Sequence, residues 1–467
     1  MINVSAFVKS LDKKPVAVFG LARSGLSTIR ALKAAGAQVL AWDDDPETHA
    51  KAKRAGSKII ELTPTVLRDC AMLVLAPGVP LHYPRPHPVV SAAQAMGLEV
   101  LSDVEILHRC DHHRMVIGIT GSNGKSTTTA LIGHILNICG KSAAVGGNIG
   151  VPVLDLDMPP KNGLFVLEVS SYQLDLCPSF TPDIAVLMNI TPDHIDRHGS
   201  MENYAASKEK ILVGDGVGIV GIDDEYSLAI YNRTKDMDMR KLVPVSVGKK
   251  APGGVYVRDN ILFDDMKGKN REIGSLANII TLSGRHNMQN AAAAYAVCRS
   301  TGLSGDEILA AMKTYPGLPH RQFPARVING VAYINDSTAT TGTAAGKALA
   351  CYNNIYWILG GKPKEGGLNG VESLLGNVRH AFLIGEASDA FGAWLKKYGV
   401  PHQFCDVMET AVEKAHMMAQ GQRGQPGGGG VVLLSPACAS FDQYKSFEER
   451  GEHFMKLVKN LKKDMAA

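Results

Sequence analysis

The sequence predicts an α/β protein with mainly parallel sheets, organised in three domains. Short apolar runs alternate with helical segments along most of the chain, as they do when helices pack against a parallel sheet. A glycine-rich loop separates a strand pattern from a helix pattern near residue 121, and the Pro- and Gly-rich segment TYPGLPHRQFPAR interrupts the alternation near residue 316. At about 150 residues per domain, a chain of 467 residues suits three domains, which we expect at 1–110, 111–316 and 317–467.

The first domain carries four strand patterns and one clear helix pattern. The strands are short apolar runs bounded by turn-forming residues, and the helix follows the first of them directly. We expect strands at 15–19, 38–42, 72–76 and 98–101, and a helix at 26–35.

The second and third domains repeat this alternation with one interruption. Between about 240 and 283 the pattern changes to short strands and turns, which breaks the regular order of strand and helix. In the second domain we expect strands at 115–120, 164–167, 184–188 and 218–221, and helices at 126–139 and 287–300. In the third domain we expect strands at 333–335, 355–359, 382–384 and 431–434.

Composition excludes several classes of protein. Hydrophobic residues make up 45% and charged residues 20%, which is ordinary for a soluble globular chain. A net charge of +4 is small for this length and argues against nucleic-acid binding. None of the eight cysteines forms a CxxC pair, so we expect no zinc or redox motif of that kind. The chain has neither a signal-peptide pattern nor an apolar run of about 18 residues, so we expect a cytoplasmic protein that does not enter a membrane.

The strongest motif is a phosphate-binding loop between the strand MVIGIT and the next helix. Its residues are Gly121, Ser122, Asn123, Gly124, Lys125, Ser126 and Thr127. Glycines let backbone N–H groups turn toward an anion, and the helix N-terminus adds positive potential at the same place. Lys125 can reach the outer phosphates and Ser126 can bind Mg²⁺. The loop departs from the GxxxxGK[ST] spacing because Ile119 occupies the first glycine position, and the alternative is a turn that only caps the helix.

A second glycine-containing loop, GLARSG at 20–25, resembles a dinucleotide-binding fingerprint with alanine in its middle position. This pattern keeps open a nicotinamide-dependent oxidoreductase. It is also typical of a purely structural turn between a strand and a helix. The phosphate loop argues against the oxidoreductase, because hydride transfer has no need of Lys125 and Ser126.

Two further side chains stand at or just past predicted strand ends, where ligands gather in open parallel sheets. Glu168 ends the apolar strand of LEVSSYQL, and His194 lies in NITPDHIDRH. A carboxylate suits Mg²⁺, whereas a neutral histidine is a less usual ligand for that ion. The alternatives are a strand-end salt bridge for Glu168 and a loop-capping role for His194.

Six motifs, in their order along the chain, resemble those of the Mur ligase family of peptidoglycan synthesis: GSNGKST, LEVSSYQL, NITPDHIDRH, GRHNMQNAAAA, GLPHR and INDSTAT. The resemblance covers nearly the whole chain. The C-terminal run LLSPACASFDQYKSFEERGEHF is similar to that of the members that add D-glutamate to UDP-N-acetylmuramoyl-L-alanine. The resemblance implies a Rossmann-like UDP-binding domain, a central ATPase domain and a Rossmann-like C-terminal domain that binds the amino acid.

The resemblance also implies an ATP-dependent ligase that uses two Mg²⁺ ions and forms an acyl phosphate. Outside the phosphate loop it implies ATP contacts from Asn287, Asn290, Arg321 and Asp336. It implies metal ligands at Ser126, Glu168, His194 and a carbamylated Lys208, and catalytic roles for Lys125, His194, Lys208 and Arg321. It implies contacts to the UDP substrate from Arg23, Ser24, Asn148 and His194. It implies contacts to the amino acid from Thr340, Lys364, Ser440 and Phe447.

One residue departs from the pattern of the members that use D-glutamate. Thr338 stands in NDSTAT where those members usually have lysine, so the stereochemistry of the accepted glutamate stays open between D and L. A folylpolyglutamate synthase is an alternative ligase, but we would not expect it to begin with about 110 residues of Rossmann-like domain. A nucleotide-binding regulatory protein without chemistry is a further alternative. We expect a monomer whose partners are UDP-N-acetylmuramoyl-L-alanine and D-glutamate, with no nucleic acid.

Overall fold

The computed structural model describes residues 1–110, 113–237, 240–423 and 429–461. The chain forms two compact units: Met1–Ala277 with His286–Tyr315, and Asn278–Arg285 with Pro316–Ala467. The first unit contains two sheets and the second contains one. The predicted α/β class is therefore confirmed, while the three domain boundaries stay a prediction.

The first sheet is wholly parallel and has the strand order β3-β2-β1-β4-β5. Its strands are β1 Val16–Phe19, β2 Val39–Trp42, β3 Lys58–Ile59, β4 Met72–Leu75 and β5 Glu99–Leu101. The helices of this region are α1 Ser5–Lys9, α2 Arg23–Ala34, α3 His49–Arg54, α4 Pro64–Leu67, α5 Pro88–Ala95 and α6 Asp103–Arg109.

The second sheet has nine strands in the order β14-β13-β12-β11-β10-β9-β6-β8-β7. They are β6 Met115–Thr120, β7 Ala143–Gly147, β8 Leu164–Glu168, β9 Ile184–Leu187, β10 Val217–Gly221, β11 Lys241–Val247, β12 Val255–Arg258, β13 Ile261–Asp264 and β14 Arg271–Ser275. All pairs are parallel except β12–β13 and β13–β14. The helices are α7 Lys125–Ile138, α8 Ser171–Asp175, α9 Ile195–His198, α10 Met201–Glu209, α11 Glu225–Thr234, α12 Arg285–Ser300 and α13 Gly305–Met312.

The third sheet has the order β15-β16-β20-β17-β18-β19, and its only antiparallel pair among the described strands is β15–β16. Its strands are β15 Phe323–Ile328, β16 Val331–Asn335, β17 Ile355–Gly360, β18 Val378–Ile384, β19 His402–Asp406 and β20 Val431–Leu434. The helices are α14 Gly342–Leu349, α15 Ser388–Lys397, α16 Met408–Gly421 and α17 Phe447–Asn460.

Each predicted strand coincides with an observed strand to within a few residues at its ends, and the predicted change to short strands appears as β11 to β14. The patterns do not predict four strands: β3, β7, β15 and β19. β3 has only two residues, β7 (AAVGG) is rich in glycine, β15 (FPARVI) contains a proline, and β19 (HQFCD) is only partly apolar. All four lie at sheet edges, where burial on two faces is not required and the apolar pattern is weaker.

The central strands β6, β8 and β9 are almost entirely buried, because helices cover both faces of the sheet. Their parallel direction brings the carboxyl ends of β6, β8 and β9 to one edge, where the candidate site lies. No helix within the described ranges combines the length and the apolar character needed to cross a membrane.

Candidate active site

The phosphate loop joins β6 to α7 through two glycines with positive φ. Gly121 has φ +149° and Gly124 has φ +82°. A Cβ at Gly121 would lie 2.7 Å from Met188 Cβ, and one at Gly124 would lie 2.1 Å from Asn290 Oδ1. Gly124 is also the N-cap of α7 and provides no side-chain cap. The N–H groups of the first helical turn are therefore available to an anion, as a phosphate loop requires.

Side chains from the segment after β9 hold this loop in place. Asn189 Oδ1 accepts a hydrogen bond from Asn123 N at 2.8 Å, and Asn189 Nδ2 donates to Asn123 O at 3.2 Å. Ser122 Oγ donates to Thr191 O at 3.0 Å and lies 3.0 Å from the hydroxyl of Tyr204, which is fully buried. Protein groups therefore hold the loop in shape, which reduces the ordering that nucleotide binding requires.

Two lysine amines meet at one carbonyl oxygen of the loop. Lys125 Nζ donates to Gly121 O at 2.8 Å and to Ser122 O at 3.0 Å. Lys208 Nζ donates to the same Gly121 O at 2.9 Å and lies 4.5 Å from the ring centroid of Tyr204. Lys208 is only 1% exposed. Burial, together with the charge of Lys125, lowers the pKa of Lys208 well below its usual value, although nearby carboxylates oppose the shift.

Glu168 ends β8 beside the phosphate loop and is 2% exposed. Asn148 Nδ2 donates to Glu168 Oε1 at 2.7 Å, which brings two predicted site residues together. The other oxygen, Oε2, is buried and has no hydrogen-bond partner. A buried carboxylate oxygen without a donor is costly, so a bound cation is the simplest way to satisfy it. No ion pair of Glu168 occurs among the described residues, which leaves the salt-bridge alternative without support.

The described ranges contain no cluster of three or more His, Cys, Asp or Glu side chains that could hold a metal ion. Mg²⁺ does not need such a cluster, because it commonly keeps waters and binds substrate phosphates through one or two carboxylates. The free oxygen of Glu168 fits that pattern. Ser126, at the second position of α7, is half-buried at the start of the same helix.

His194 is the N-cap of α9 and has φ +55°, a left-handed conformation that is uncommon outside glycine. Its ring is half-exposed and lies 5.2 Å from the ring of Tyr172 and 6.4 Å from that of Tyr204. Since Tyr204 also contacts Lys208, His194 belongs to the surroundings of the buried lysine. Although His194 occupies the N-cap position, its side chain makes no capping hydrogen bond to α9, so its position does not support the loop-capping alternative.

Asn290 and Asn287 lie in the first turns of α12. Asn290 Nδ2 donates to Asn287 Oδ1 at 3.0 Å, and the space that a Cβ at Gly124 would need is filled by Asn290. Thr127 is buried in the first turn of α7. The predicted nucleotide residues of the first unit therefore converge on the phosphate loop.

Arg23 and Ser24 begin α2, directly after the loop at 20–22. The Arg23 guanidinium donates to the carbonyl oxygen of Gly150, two residues beyond Asn148. Arg23 thus connects the first sheet's loop to the segment that carries Asn148. This contact supports a shared substrate site better than a dinucleotide site within the first sheet alone.

In the second unit, Asp336 follows β16 and is buried. Its carboxylate accepts from Gln322 N at 3.1 Å and Ser435 Oγ at 2.8 Å. Burial raises the pKa of Asp336 to about 7, while those hydrogen bonds and the charge of Arg321 oppose the shift. Arg321 is exposed in the turn before β15.

The predicted amino-acid residues lie on loops at the carboxyl ends of strands in the third sheet. Lys364 Nζ, after β17, donates to Thr340 Oγ1, after β16, at 3.2 Å. Ser440 follows β20 and is buried, and Phe447 is the first residue of α17. The structure therefore brings Lys364 and Thr340 into contact and sets Ser440 on a neighbouring loop.

Sequence reasoning overlooked three residues that organise these sites: Asn189, Tyr204 and Arg450. Tyr204 could have been found from its spacing, because it lies one helical turn before Lys208 on α10. Asn189 follows directly on the β9 strand pattern. Nothing local marks Arg450, which lies within the charged run FEERGEHF.

A phosphate loop on a parallel sheet, two converging amines and a half-satisfied carboxylate define a nucleotide-binding site of the phosphoryl-transfer class. The chain belongs to the Mur ligase family. Residues 119–298 match the model of the Mur ligase middle domain. The chain is 43% identical to the UDP-N-acetylmuramoylalanine–D-glutamate ligase of Phenylobacterium zucineum, over 99% of this chain and 98% of that one. It is 46% identical to the same-named ligase of Rhodospirillum rubrum, over 96% and 95% of the two chains.

Solved structures of the family share the fold. The UDP-N-acetylmuramate–alanine ligase of Thermotoga maritima superimposes with a TM-score of 0.59 at 17% identity, covering 96% of this chain and 100% of that one. The MurF ligase of Thermotoga maritima, determined in complex with ADP, gives a TM-score of 0.57 at 16% identity over 97% and 99% of the two chains.

Proposed function

We propose that this chain is an ATP-dependent ligase that joins D-glutamate to UDP-N-acetylmuramoyl-L-alanine, with an acyl phosphate as the intermediate. The observation that carries the reaction class is the meeting of Lys125 and Lys208 at Gly121 O, beside the free oxygen of Glu168. The names of the full-length relatives support the two substrates.

In the first step, the carboxylate of the alanyl group attacks the γ-phosphorus of ATP, and the bond to the leaving ADP oxygen breaks. The loop residues 121–127 and the N-terminus of α7 would bind the phosphates. Lys125 would exchange its two carbonyl acceptors for phosphate oxygens and offset the charge that develops on them. Asn287 and Asn290 would contact the nucleotide, and Arg321 and Asp336 would contact its phosphate and ribose.

When bound, Mg²⁺ supplies positive charge at the phosphoryl oxygens. Ser126, Glu168, His194 and a carbamylated Lys208 are the residues that we propose to hold two ions. The lowered pKa of Lys208 supports the carbamate, because only the neutral amine adds CO₂ and releases a proton. A carbamate would also place a negative group beside the Lys125 ammonium, which attracts it.

In the second step, the glutamate amine attacks the acyl carbon, the amide bond forms, and phosphate leaves. Thr340 and Lys364 would bind one glutamate carboxylate, and Ser440 with the backbone near Phe447 would bind the other. Arg23, Ser24, Asn148 and His194 would bind the UDP substrate. Water must be excluded during this step, since it would hydrolyse the acyl phosphate.

The use of L-glutamate is a second candidate, because Thr338 stands where D-glutamate-adding members usually have lysine. ATP and nucleotide-linked sugars are cytoplasmic compounds, so we propose that the reaction occurs in the cytoplasm. We propose that the enzyme acts as a monomer, which sedimentation at micromolar concentration tests directly.

A phosphate-release assay tests the function. ATP, Mg²⁺ and UDP-N-acetylmuramoyl-L-alanine are supplied with D-glutamate, L-glutamate or other amino acids. Release is expected only when both the UDP substrate and D-glutamate are present, with the amide product confirmed by mass spectrometry. Release that ignores the amino acid would reject a ligase. Faster release with L-glutamate would assign the acceptor to the second candidate.

A further inference from the structure

Arg450, on α17, is a buried cation whose hydrogen-bond partners are all neutral oxygens. Its side chain is 1% exposed. Nε donates to Ser337 Oγ at 3.0 Å, and Nη2 donates to Ser337 O at 2.9 Å and Cys438 O at 3.1 Å. Nη1 donates to Ala439 O at 3.3 Å. Within the described part of the chain no ion pair includes Arg450, so its charge has no counterion in contact.

Arginine suits this place better than any other residue. Its planar guanidinium offers five N–H donors in a fixed fork, and its three nitrogens here reach Ser337, Cys438 and Ala439. A lysine would offer a single nitrogen. Burial lowers the pKa of Arg450 to about 10, which leaves the group charged at neutral pH.

The oxygens that Arg450 binds belong to the loops that carry the proposed acceptor residues. Ser337 lies on the loop after β16, three residues before Thr340. Cys438 and Ala439 lie on the loop after β20, directly before Ser440. One side chain therefore joins two of the loops on which glutamate recognition depends.

The same contacts extend to the other two elements of the acceptor site. Ser337 Oγ donates to Phe447 O at 2.8 Å, at the start of α17. Ala439 exchanges two backbone hydrogen bonds with Lys362, at 2.9 and 3.0 Å, on the loop that carries Lys364. A Cβ at Gly361, where φ is +130°, would lie 2.4 Å from Ala439 O, so this loop approaches as closely as a glycine allows.

We infer that Arg450 is a positioning residue for the amino-acid acceptor, which holds four elements of the site in register and leaves behind them a positive charge that no carboxylate of the described residues contacts directly. The inference rests on the proposed function, because it assumes that these loops bind the two carboxylates of glutamate. A dianion gains from a fixed cation nearby even without direct contact, since the field acts through a partly water-excluded region.

Arg240 provides a matched control. It is also buried, at 5% exposure, and donates to the backbone carbonyls of Leu212, Val213, Val217 and Asp183. Burial lowers its pKa as well. Arg240 lies in the first unit and contacts none of the proposed site residues. Arg240→Lys and Arg450→Lys therefore remove comparable hydrogen bonds from two different places.

The experiment compares the wild type with Arg450→Lys, Arg450→Gln, Ser337→Ala and Arg240→Lys. The KM values for D-glutamate and ATP, kcat, and the melting temperature are measured for each. Arg450→Lys is expected to raise the KM for D-glutamate at least about tenfold and to change the KM for ATP less than about twofold. Arg450→Gln, which also removes the charge, is expected to raise the KM for D-glutamate further. Arg240→Lys is expected to lower the melting temperature and leave the KM for D-glutamate within about twofold of the wild type.

An unchanged KM for D-glutamate in a folded Arg450→Lys protein would overturn the inference. An equal rise in that KM in Arg240→Lys would also overturn it, since the effect would then reflect general destabilisation. If both Arg450 variants fail to fold, the KM of Ser337→Ala for D-glutamate decides, because this substitution removes the hydroxyl that links Arg450 to Phe447. A raised KM supports the inference, and an unchanged KM overturns it. A wild type that does not use D-glutamate would instead reject the proposed function.

Discussion

The phosphate loop and the acceptor loops are both held by side chains that are distant in sequence. They differ in how their cationic side chains share hydrogen-bond acceptors. At the phosphate loop, Lys125 and Lys208 crowd against one carbonyl oxygen, so two amines share a single acceptor. At the acceptor loops, the buried Arg450 has its own set of oxygens, and Lys364 is exposed and donates to Thr340.

This difference suits the phosphate loop to the chemical step and the acceptor loops to substrate binding. Burial and the charge of Lys125 lower the pKa of Lys208. Lys125 is then the cation placed to offset the negative charge that moves in the transition state. At the acceptor loops, the exposed Lys364 lies on a loop held by backbone hydrogen bonds to Ala439. It would bind a glutamate carboxylate, whose charge does not change during the reaction. Substitutions at the first site should therefore lower kcat, whereas those at the second should raise a KM.

The largest effect is expected for Lys125→Ala. Removing the cation closest to the transferring phosphate should lower kcat at least about 100-fold, or about 3 kcal/mol of transition-state stabilisation. The side chain is only half-buried, so circular dichroism and the melting temperature should stay close to those of the wild type. Near-normal turnover would remove the phosphate loop from the mechanism and with it the contrast between the sites.

A smaller effect is expected for Lys208→Ala, because it removes a proposed metal ligand rather than the phosphate-binding cation. Turnover should fall about 10- to 100-fold, the usual cost of disturbing a metal site. Short carboxylic acids such as acetate or formate should partly restore it by supplying oxygen to the metal. Depleting dissolved CO₂ should lower the activity of the wild type but leave that of the variant unchanged.

Lys210→Ala is the control for this substitution. Lys210 lies two residues away, pairs with Asp175 at 2.7 Å and has an exposed side chain. Its loss should affect turnover little, and carboxylic acids should have no effect on this variant. An unmodified Lys208 amine in high-resolution density, with magnesium bound nearby, would contradict the carbamate.

The smallest effect is expected for Lys364→Ala. The KM for D-glutamate should rise about tenfold, equivalent to about 1.4 kcal/mol, while kcat and the KM for ATP change much less. Lys362→Ala is the control, since Lys362 binds its neighbouring loop through backbone atoms that the substitution retains. Comparing D- and L-glutamate in both variants would also test the influence of Thr338. Equal KM values in the wild type and Lys364→Ala would discard this acceptor assignment.

The α/β class, nearly every central strand and the phosphate loop could be predicted from the amino-acid sequence. These features depend on local patterns: apolar runs mark buried strands, and Gly121, Gly124 and Lys125 mark the turn into a helix. The positions of Glu168 and His194 at or near strand ends followed from the same rule about parallel sheets.

The contacts among those residues depend on long-range packing, which local patterns do not reveal. Lys208 lies 87 residues from Gly121, and Arg450 lies 113 residues from Ser337, so no local pattern could pair them. Burial lowers the pKa of Lys208 and leaves Glu168 Oε2 without a donor, and burial depends on which elements pack together. The sequence specifies which side chains are present. Long-range packing sets the neighbours of each side chain and its access to water. Those surroundings determine the charge and the role of the side chain.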